Sequence, residues 1–447
     1  MAPAPTPTVK VGARGRARIA GGQVWIYRQD VLAGPETDAR AGGPAVVLVT
    51  DQRKRPLAVA TWAAQSPVAL RILHFLPRPA QRGEAAPHPA SPRLRGEAAP
   101  HPASPRLRGE AAERSSAGEG PPGDGPGLPE LLTLVETRFA HALAFRRGLA
   151  LDRDAFRAVH GESDGLPGLI VDVYAGAAVL QTTSVAMDAR KREIAESAAR
   201  LLGARLVVIR DDGSARDFEG LPRRAELVIG SGPTLVEYRL GPNRLVADLL
   251  TDSKTGGFLD QADNHSIVAA MTRSGARCLD AFTYHGGFAL ALARKGGAVL
   301  ATDEDSGAVE RARANAVRNG LANLTVRQAN AFDLLRSLEA AGEKFDVVVL
   351  DPPAFAKRKS GDLAAERAYR EIILRGLRLA VPGGLVVACS CSGRVTREQF
   401  DQIVATAAAD SGRQAQILAR LGAGRDHPEL AGVPETGHLK CWILRTI

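Results

Sequence analysis

Residues 345–355 read Phe-Asp-Val-Val-Val-Leu-Asp-Pro-Pro-Ala-Phe. The first six are almost wholly apolar and β-branched at their centre, the composition of a strand covered on both faces of a parallel sheet. Asp351 follows at once, and two prolines remove backbone donors and fix an extended turn, so its carboxylate is held rigidly at the strand end. Outward from this strand the chain alternates regularly. Cys278-Leu-Asp-Ala-Phe, Ala298-Val-Leu-Ala-Thr-Asp and Leu324-Thr-Val-Arg read as strands, followed by helices over 287–295, 306–319 and 332–341. On the other side come a helix over 366–381, a strand over 384–390 and a further helix. Thr396 and Gln399 form a capping box for that helix, whose apolar side carries Phe400, Ile403, Val404 and Ala407. Repeated β–α units predict a doubly wound α/β sheet with its ligands outside the carboxyl ends of the strands.

Chemistry-bearing residues fall at those ends. After the first strand comes Asp280-Ala-Phe-Thr-Tyr-His-Gly-Gly-Phe. Its paired glycines, Gly286 and Gly287, let backbone approach a ligand and open a helix whose N-terminal amides favour an anionic group. The spacing departs from GxGxxG, which argues against a dehydrogenase. Asp303 closes the second strand, placed either to accept ribose hydroxyls or to cap the next helix with Asp305 and Ser306. Asn330 closes the third, facing an adenine edge or capping its own helix. Asp351-Pro-Pro-Ala-Phe offers Pro and Phe355 as a stacking platform for a flat base, with Asp351 on its polar edge. Cys389-Ser-Cys-Ser-Gly ends the fifth strand with Cys391 nearer the site, where a thiolate is able to add to C6 of a pyrimidine. The alternative, a small buried hydrophobe, suits Cys389, Cys278 and Cys441.

The remainder sets the context. At 447 residues the chain exceeds what one core usually supports. A formal net charge of +9 favours a polyanionic partner. The four cysteines contain no CxxC pair, so they read as free thiols in a reducing compartment, and no metal site is expected. The N-terminus lacks the apolar core of a signal peptide, and no apolar run approaches the roughly 20 residues that span a bilayer, so no membrane partner and a cytoplasmic location are expected. Arg82–Leu94, RGEAAPHPASPRL, is repeated letter for letter from Arg95 to Leu107. That composition cannot bury enough surface to order itself. Four segments result: a small β domain over 1–76, a disordered insertion over 77–127, an α+β domain over 128–240 and the doubly wound domain over 241–447.

Taken together these motifs resemble the RlmI-type family of bacterial 23S ribosomal RNA large-subunit methyltransferases, which makes 5-methylcytosine. Gly21-Gly-Gln-Val-Trp-Ile-Tyr and Ser66-Pro-Val-Ala-Leu-Arg-Ile-Leu are similar to its PUA RNA-binding domain, and His160-Gly-Glu-Ser-Asp-Gly-Leu-Pro-Gly-Leu-Ile-Val-Asp to the opening of its middle domain. Lys254-Thr-Gly-Gly-Phe-Leu-Asp-Gln, Phe282-Thr-Tyr-His-Gly-Gly-Phe, Asp351-Pro-Pro-Ala-Phe, Ser390-Cys-Ser, Asp426-His-Pro, Pro434-Glu and Leu439-Lys follow in the family's order. The resemblance implies a Rossmann-like class I fold and S-adenosylmethionine as cofactor. Gln261, Asp280, Phe282, Tyr284, Gly286, Gly287, Asp303, Asn330 and Asp351 are then its expected neighbours. Asp351 is expected to polarise a cytosine and Cys391 to attack its C6. The partner is 23S ribosomal RNA, and a homodimer is left open. A methyltransferase for another ribosomal RNA base, such as guanine, and a non-catalytic RNA-binding assembly factor are the alternatives.

Overall fold

A computed structural model describes residues 6–77, 130–355 and 362–447; the 13-residue repeat lies outside the described residues. The C-terminal sheet has seven strands, labelled here β1 (Cys278–Ala281), β2 (Val299–Asp303), β3 (Leu324–Gln328), β4 (Phe345–Leu350), β5 (Ala380–Ser390), β6 (Ala415–Leu421) and β7 (Lys440–Thr446). Their spatial order is β3-β2-β1-β4-β5-β7-β6. The first five are parallel, and β7 runs antiparallel between β5 and β6. The order reverses between β1 and β4, the switch point where such sheets open a crevice. Val347, Val348, Val349 and Leu350 are all buried, as their composition requires.

Helices Gly287–Ala293, Ser306–Arg318, Ala331–Ala340, Asp362–Leu379 and Arg397–Ser411 alternate with the strands. The last begins with the capping box Thr396–Gln399 and buries Phe400, Ile403, Val404 and Ala407. Strands β6 and β7 carry no turn signal or period that marked them beforehand. β6 alternates between half-buried and exposed positions at the sheet edge.

Ahead of this sheet lies a six-stranded sheet built from Thr8–Val11, Trp25–Tyr27, Val31–Ala33, Val46–Thr50, Pro56–Trp62 and Val68–Phe75. It closes around its own core of Val9, Ile26, Val49, Trp62 and Leu70. A five-stranded sheet follows, with strands Ala155–His160, Leu169–Tyr174, Ala177–Thr182, Leu206–Asp211 and Arg224–Ile229. Helices Leu131–Gly148 and Lys191–Leu202 cover one face of it. Helices Val185–Ala189 and Lys191–Leu202 are separated at Arg190, and Asp188 accepts from Lys191 at 2.8 Å and from Arg216 at 2.7 Å. A hairpin of Leu235–Leu240 and Asn243–Asp248 leads into the C-terminal sheet; its turn contains the boundary expected at 240/241.

Buried charge ties the units together. Trp25 donates to Glu162 at 2.9 Å, and Arg71 bridges Glu162 and Glu219 at 3.2 and 2.9 Å. Arg157 forks onto Asp172 at 2.8 and 2.9 Å, while its backbone N–H donates to Asp426 at 2.9 Å. The Thr255 hydroxyl donates to the same Asp172 at 2.7 Å, and the Gly257 N–H donates to Tyr174 at 3.0 Å. The middle sheet therefore holds the segment Lys254–Gln261 in place beside the C-terminal sheet.

Candidate active site

A cleft of about 800 Å³ opens at the carboxyl ends of β1, β2, β4 and β5. Gln261, Asp280, Phe282, Tyr284, Gly287, Asp303, Asn330, Asp351 and Cys391 all line it; Gly286 stands behind the wall. The loop after β1 is bent by positive φ at Phe282 (66°), Tyr284 (48°) and Gly286 (91°). Two carboxylates offset that strain. Asp280 Oδ2 accepts from the Thr283 hydroxyl at 2.6 Å and the Ala289 N–H at 3.0 Å, and Asp303 Oδ2 accepts from the Tyr284 N–H at 2.8 Å. A Cβ at Gly287 would run into the His265 ring, so glycine lets the helix start close to that side chain. The cap of helix Ser306–Arg318 is Asp305, which accepts from the Ala308 N–H at 2.7 Å. Asn330 Oδ1 accepts from Phe332 and Asp333 and caps its own helix.

Two carboxyls here are unusually weak acids. Burial, then the neighbouring Asp260 charge, push Asp351 up to about 7; Lys254 and hydrogen bonds from Gln261 and Cys389 oppose this. Burial, then the charges of Asp351 and Asp303, push Asp280 up to about 7 as well, against its hydrogen bonds with Thr283 and Ala289. Asp260 goes the other way: despite complete burial, Lys254 and His438 hold it well below the usual carboxylate range. Lys254 Nζ lies 2.9 Å from Asp260 Oδ2 and 4.2 Å above the Phe258 ring, and His438 Nε2 lies 3.0 Å from the same oxygen.

The thiols differ by position. Cys389 is buried opposite Cys441 in the β5–β7 register, and Cys278 is buried in β1. Cys391 is half-buried on the cleft wall. Burial raises its thiol, Lys254 pulls it back down, and Asp351 and Asp260 raise it further. Phe355 packs on Tyr369 at 4.8 Å and so anchors the Asp351 turn to helix Asp362–Leu379. Among the described residues, no cluster of three or more His, Cys, Asp or Glu side chains suits a metal ion.

The motifs read from the sequence include Lys254, Asp260 and Lys440 without a role for them, and pass over His438 altogether. They converge from positions up to 186 residues apart, a distance no local pattern encodes. The cleft has the donor set for S-adenosylmethionine. Asp280 Oδ1 is buried without a partner and suits an ammonium, while each Asp303 oxygen keeps a lone pair suited to hydroxyls.

Comparison with known proteins agrees. Residues 231–445 match the S-adenosylmethionine-dependent methyltransferase family, and residues 9–75 match a PUA-like domain. The fold is shared with a protein described as a methyltransferase, SMU.776, solved in complex with SAH (TM-score 0.74, 15% identity, covering 98% of this chain and 100% of that one). Fold and site define a class I S-adenosylmethionine-dependent methyltransferase with an N-terminal PUA-like domain. Among sequence relatives, ribosomal RNA large subunit methyltransferase I of Aeromonas hydrophila is 39% identical over 306 residues, covering 67% of this chain and 76% of the relative. The protein of the same name from Tolumonas auensis is 38% identical over 304 residues, covering 66% and 76%. The chain belongs to the ribosomal RNA large subunit methyltransferase I family.

Proposed function

We propose that this protein methylates C5 of a cytosine in 23S ribosomal RNA, in the cytoplasm, through a covalent adduct on Cys391. The observation that carries the reading is that one accessible thiol, Cys391, lines the same cleft as Asp351, a carboxyl raised to about 7 at the end of the neighbouring strand. Methylation at a ring nitrogen needs no thiol; C5 of cytosine is too electron-poor to react without one. The names of the relatives supply the ribosomal RNA, and the net charge of +9 suits that partner.

Asp280, Asp303, Asn330, Gln261 and the loop from Phe282 to Gly287 would hold S-adenosylmethionine, which would supply a sulfonium methyl as the electrophile. The target base leaves its stack to enter the cleft. Asp351, held protonated well above the usual carboxylate range by its burial, donates to N3 of the cytosine and makes C6 electrophilic. Cys391 attacks C6 as the thiolate, which the Lys254 ammonium favours. Addition loads C5 with electron density, so it becomes the nucleophile for methyl transfer. Removal of the C5 proton then expels Cys391 and restores the aromatic ring.

Fluorine at C5 cannot leave as a proton does, so 23S RNA carrying 5-fluorocytosine should freeze the adduct. Incubation with S-adenosylmethionine should give a denaturation-resistant protein–RNA band that Cys391→Ala abolishes. No band with the wild type, or full methylation by Cys391→Ala, would favour a ring-nitrogen methyltransferase instead.

A further inference from the structure

The reaction just described leaves one proton without an acceptor. Cys391 cannot take it, because it departs as a thiolate in the same step, and Asp351 is engaged at N3 on the opposite edge of the base. Among the described residues lining the cleft, Asp260 meets the requirement. It is 4% exposed, its Oδ1 is buried without a hydrogen-bond partner, and its Oδ2 is pinned by Lys254 Nζ and His438 Nε2 at 2.9 and 3.0 Å. A buried carboxylate oxygen normally finds a donor, so one left empty on a cavity wall marks the place of something the resting protein lacks. Its charge acts on both Asp351 and Cys391, the two groups that engage the pyrimidine.

We propose that Asp260 is the base that takes the C5 proton from the methylated adduct, an assignment that rests on the Cys391 reading. In this step the C5–H bond breaks and its proton passes to Asp260 Oδ1. The electron pair left behind forms the C5=C6 double bond, the C6–S bond breaks, and Cys391 recovers its thiolate. N3 returns its proton to Asp351, so charge and atoms balance with one proton gained by Asp260. Lys254 and His438 keep Asp260 ionised, and therefore able to accept, at every pH where the thiol attacks. A weakly basic carboxylate suffices because the step regains pyrimidine aromaticity. His438, 27% exposed at its side chain, links Asp260 to solvent for release of the proton.

The test is Asp260→Asn, which keeps size and polarity and loses basicity. Using ordinary cytosine RNA and methyl-labelled S-adenosylmethionine, the variant should accumulate a denaturation-resistant adduct carrying label, with release of 5-methylcytosine at least 100-fold slower than wild type. Trapping of 5-fluorocytosine RNA should persist, since addition and methyl transfer precede the missing step, with its pH dependence moved down because the Asp260 charge no longer raises Asp351 and Cys391. Release at the wild-type rate would overturn the assignment. So would loss of fluorocytosine trapping together with turnover, which would make Asp260 a support for Lys254. Wild-type protein that fails to trap the fluorinated RNA would refute the Cys391 reading itself, a separate result.

Discussion

Lys440 stands directly opposite Ser390 across the antiparallel β5–β7 pair, and its ammonium donates to the Ser392 carbonyl at 2.5 Å and to its own neighbour His438 at 2.9 Å. The two carbonyls belong to the segments that deliver Cys391 and the His438 partner of Asp260. One buried cation thus spans both. Burial pushes it down to about 8, with Cys391 acting in the opposite direction. Lys440→Met leaves two carbonyls without that donor, and a stability loss of about 1–3 kcal/mol is expected. Denaturant unfolding should register it, and amide exchange should quicken around Ser392.

Activity should depend on pH in a way that identifies Asp351. The productive form has Asp351 neutral and Cys391 ionised. Below about 7 the acid stays protonated while the thiolate fraction rises with pH, so the rate climbs. Above about 7 the loss of the acid form cancels the gain in thiolate, and kcat/KM should level off. In Asp351→Asn that break should vanish, the rise continuing to the thiol's own pKa, with the rate at pH 7 lowered about 100-fold or more. A wild-type profile without a break near 7 would count against the role.

The same group carries a stability signature. Its folded value lies above its unfolded one, so the unfolded chain loses its proton first and stability declines as pH rises from about 3.9 to about 7. At pH 8 the shift corresponds to a penalty on the order of 4 kcal/mol. Asp351→Asn should therefore melt higher than wild type at pH 8 and not at pH 4, a comparison that calorimetry makes directly.

Asp426 is the opposite case. Fully buried, it accepts from Arg153 at 3.0 Å, the Arg157 N–H at 2.9 Å and His427 at 2.9 Å. Burial alone would raise it; His427 and Arg153 instead bring it far below the usual carboxylate range. Asp426→Ala leaves Arg153 buried with one carboxylate fewer, and a loss of about 3–5 kcal/mol is expected. Since the folded value is depressed, the contribution is complete above the unfolded carboxylate range and fades as pH falls below it. Melting curves of the two proteins should converge in acid.

Gly287→Ala drives a methyl group into His265, whose ring is held edge-to-face against Phe288 at 4.5 Å. Relief comes from displacement of the His265 ring or of the loop from Phe282 to Gly287, both on the cleft wall. S-adenosylmethionine affinity should fall at least tenfold by titration calorimetry while the melting temperature of the apoprotein changes by only a few degrees. An unaltered affinity would remove this loop from the cofactor site.

Much of the catalytic sheet was legible because its strands are short, apolar and punctuated. Phe345–Leu350 announced a covered parallel strand, and the Asp–Pro–Pro turn placed Asp351 at its end. Thr396 and Gln399 announced a helix start. Strands β6 and β7 were not legible: β6 is an amphipathic edge, and β7 begins in a loop of Gly and His without a turn signature. The break at Arg190 between helices Val185–Ala189 and Lys191–Leu202 was not legible either, since no Gly or Pro marks it.

By itself the sequence determined the alternation of β1 to β5 with their helices, the family, and which side chains end those strands, since these follow from local periodicity and from motifs a few residues long. Only the tertiary structure decided what those side chains are. Lys254, Asp260 and His438 come from two loops that the middle sheet and β7 bring face to face, and their mutual field fixes the charge of each. Asp351 and Asp260 are the same residue type in the same cleft, yet one is held near neutral and the other ionised, because burial and partners in space, not neighbours in the chain, set the energy of a charge.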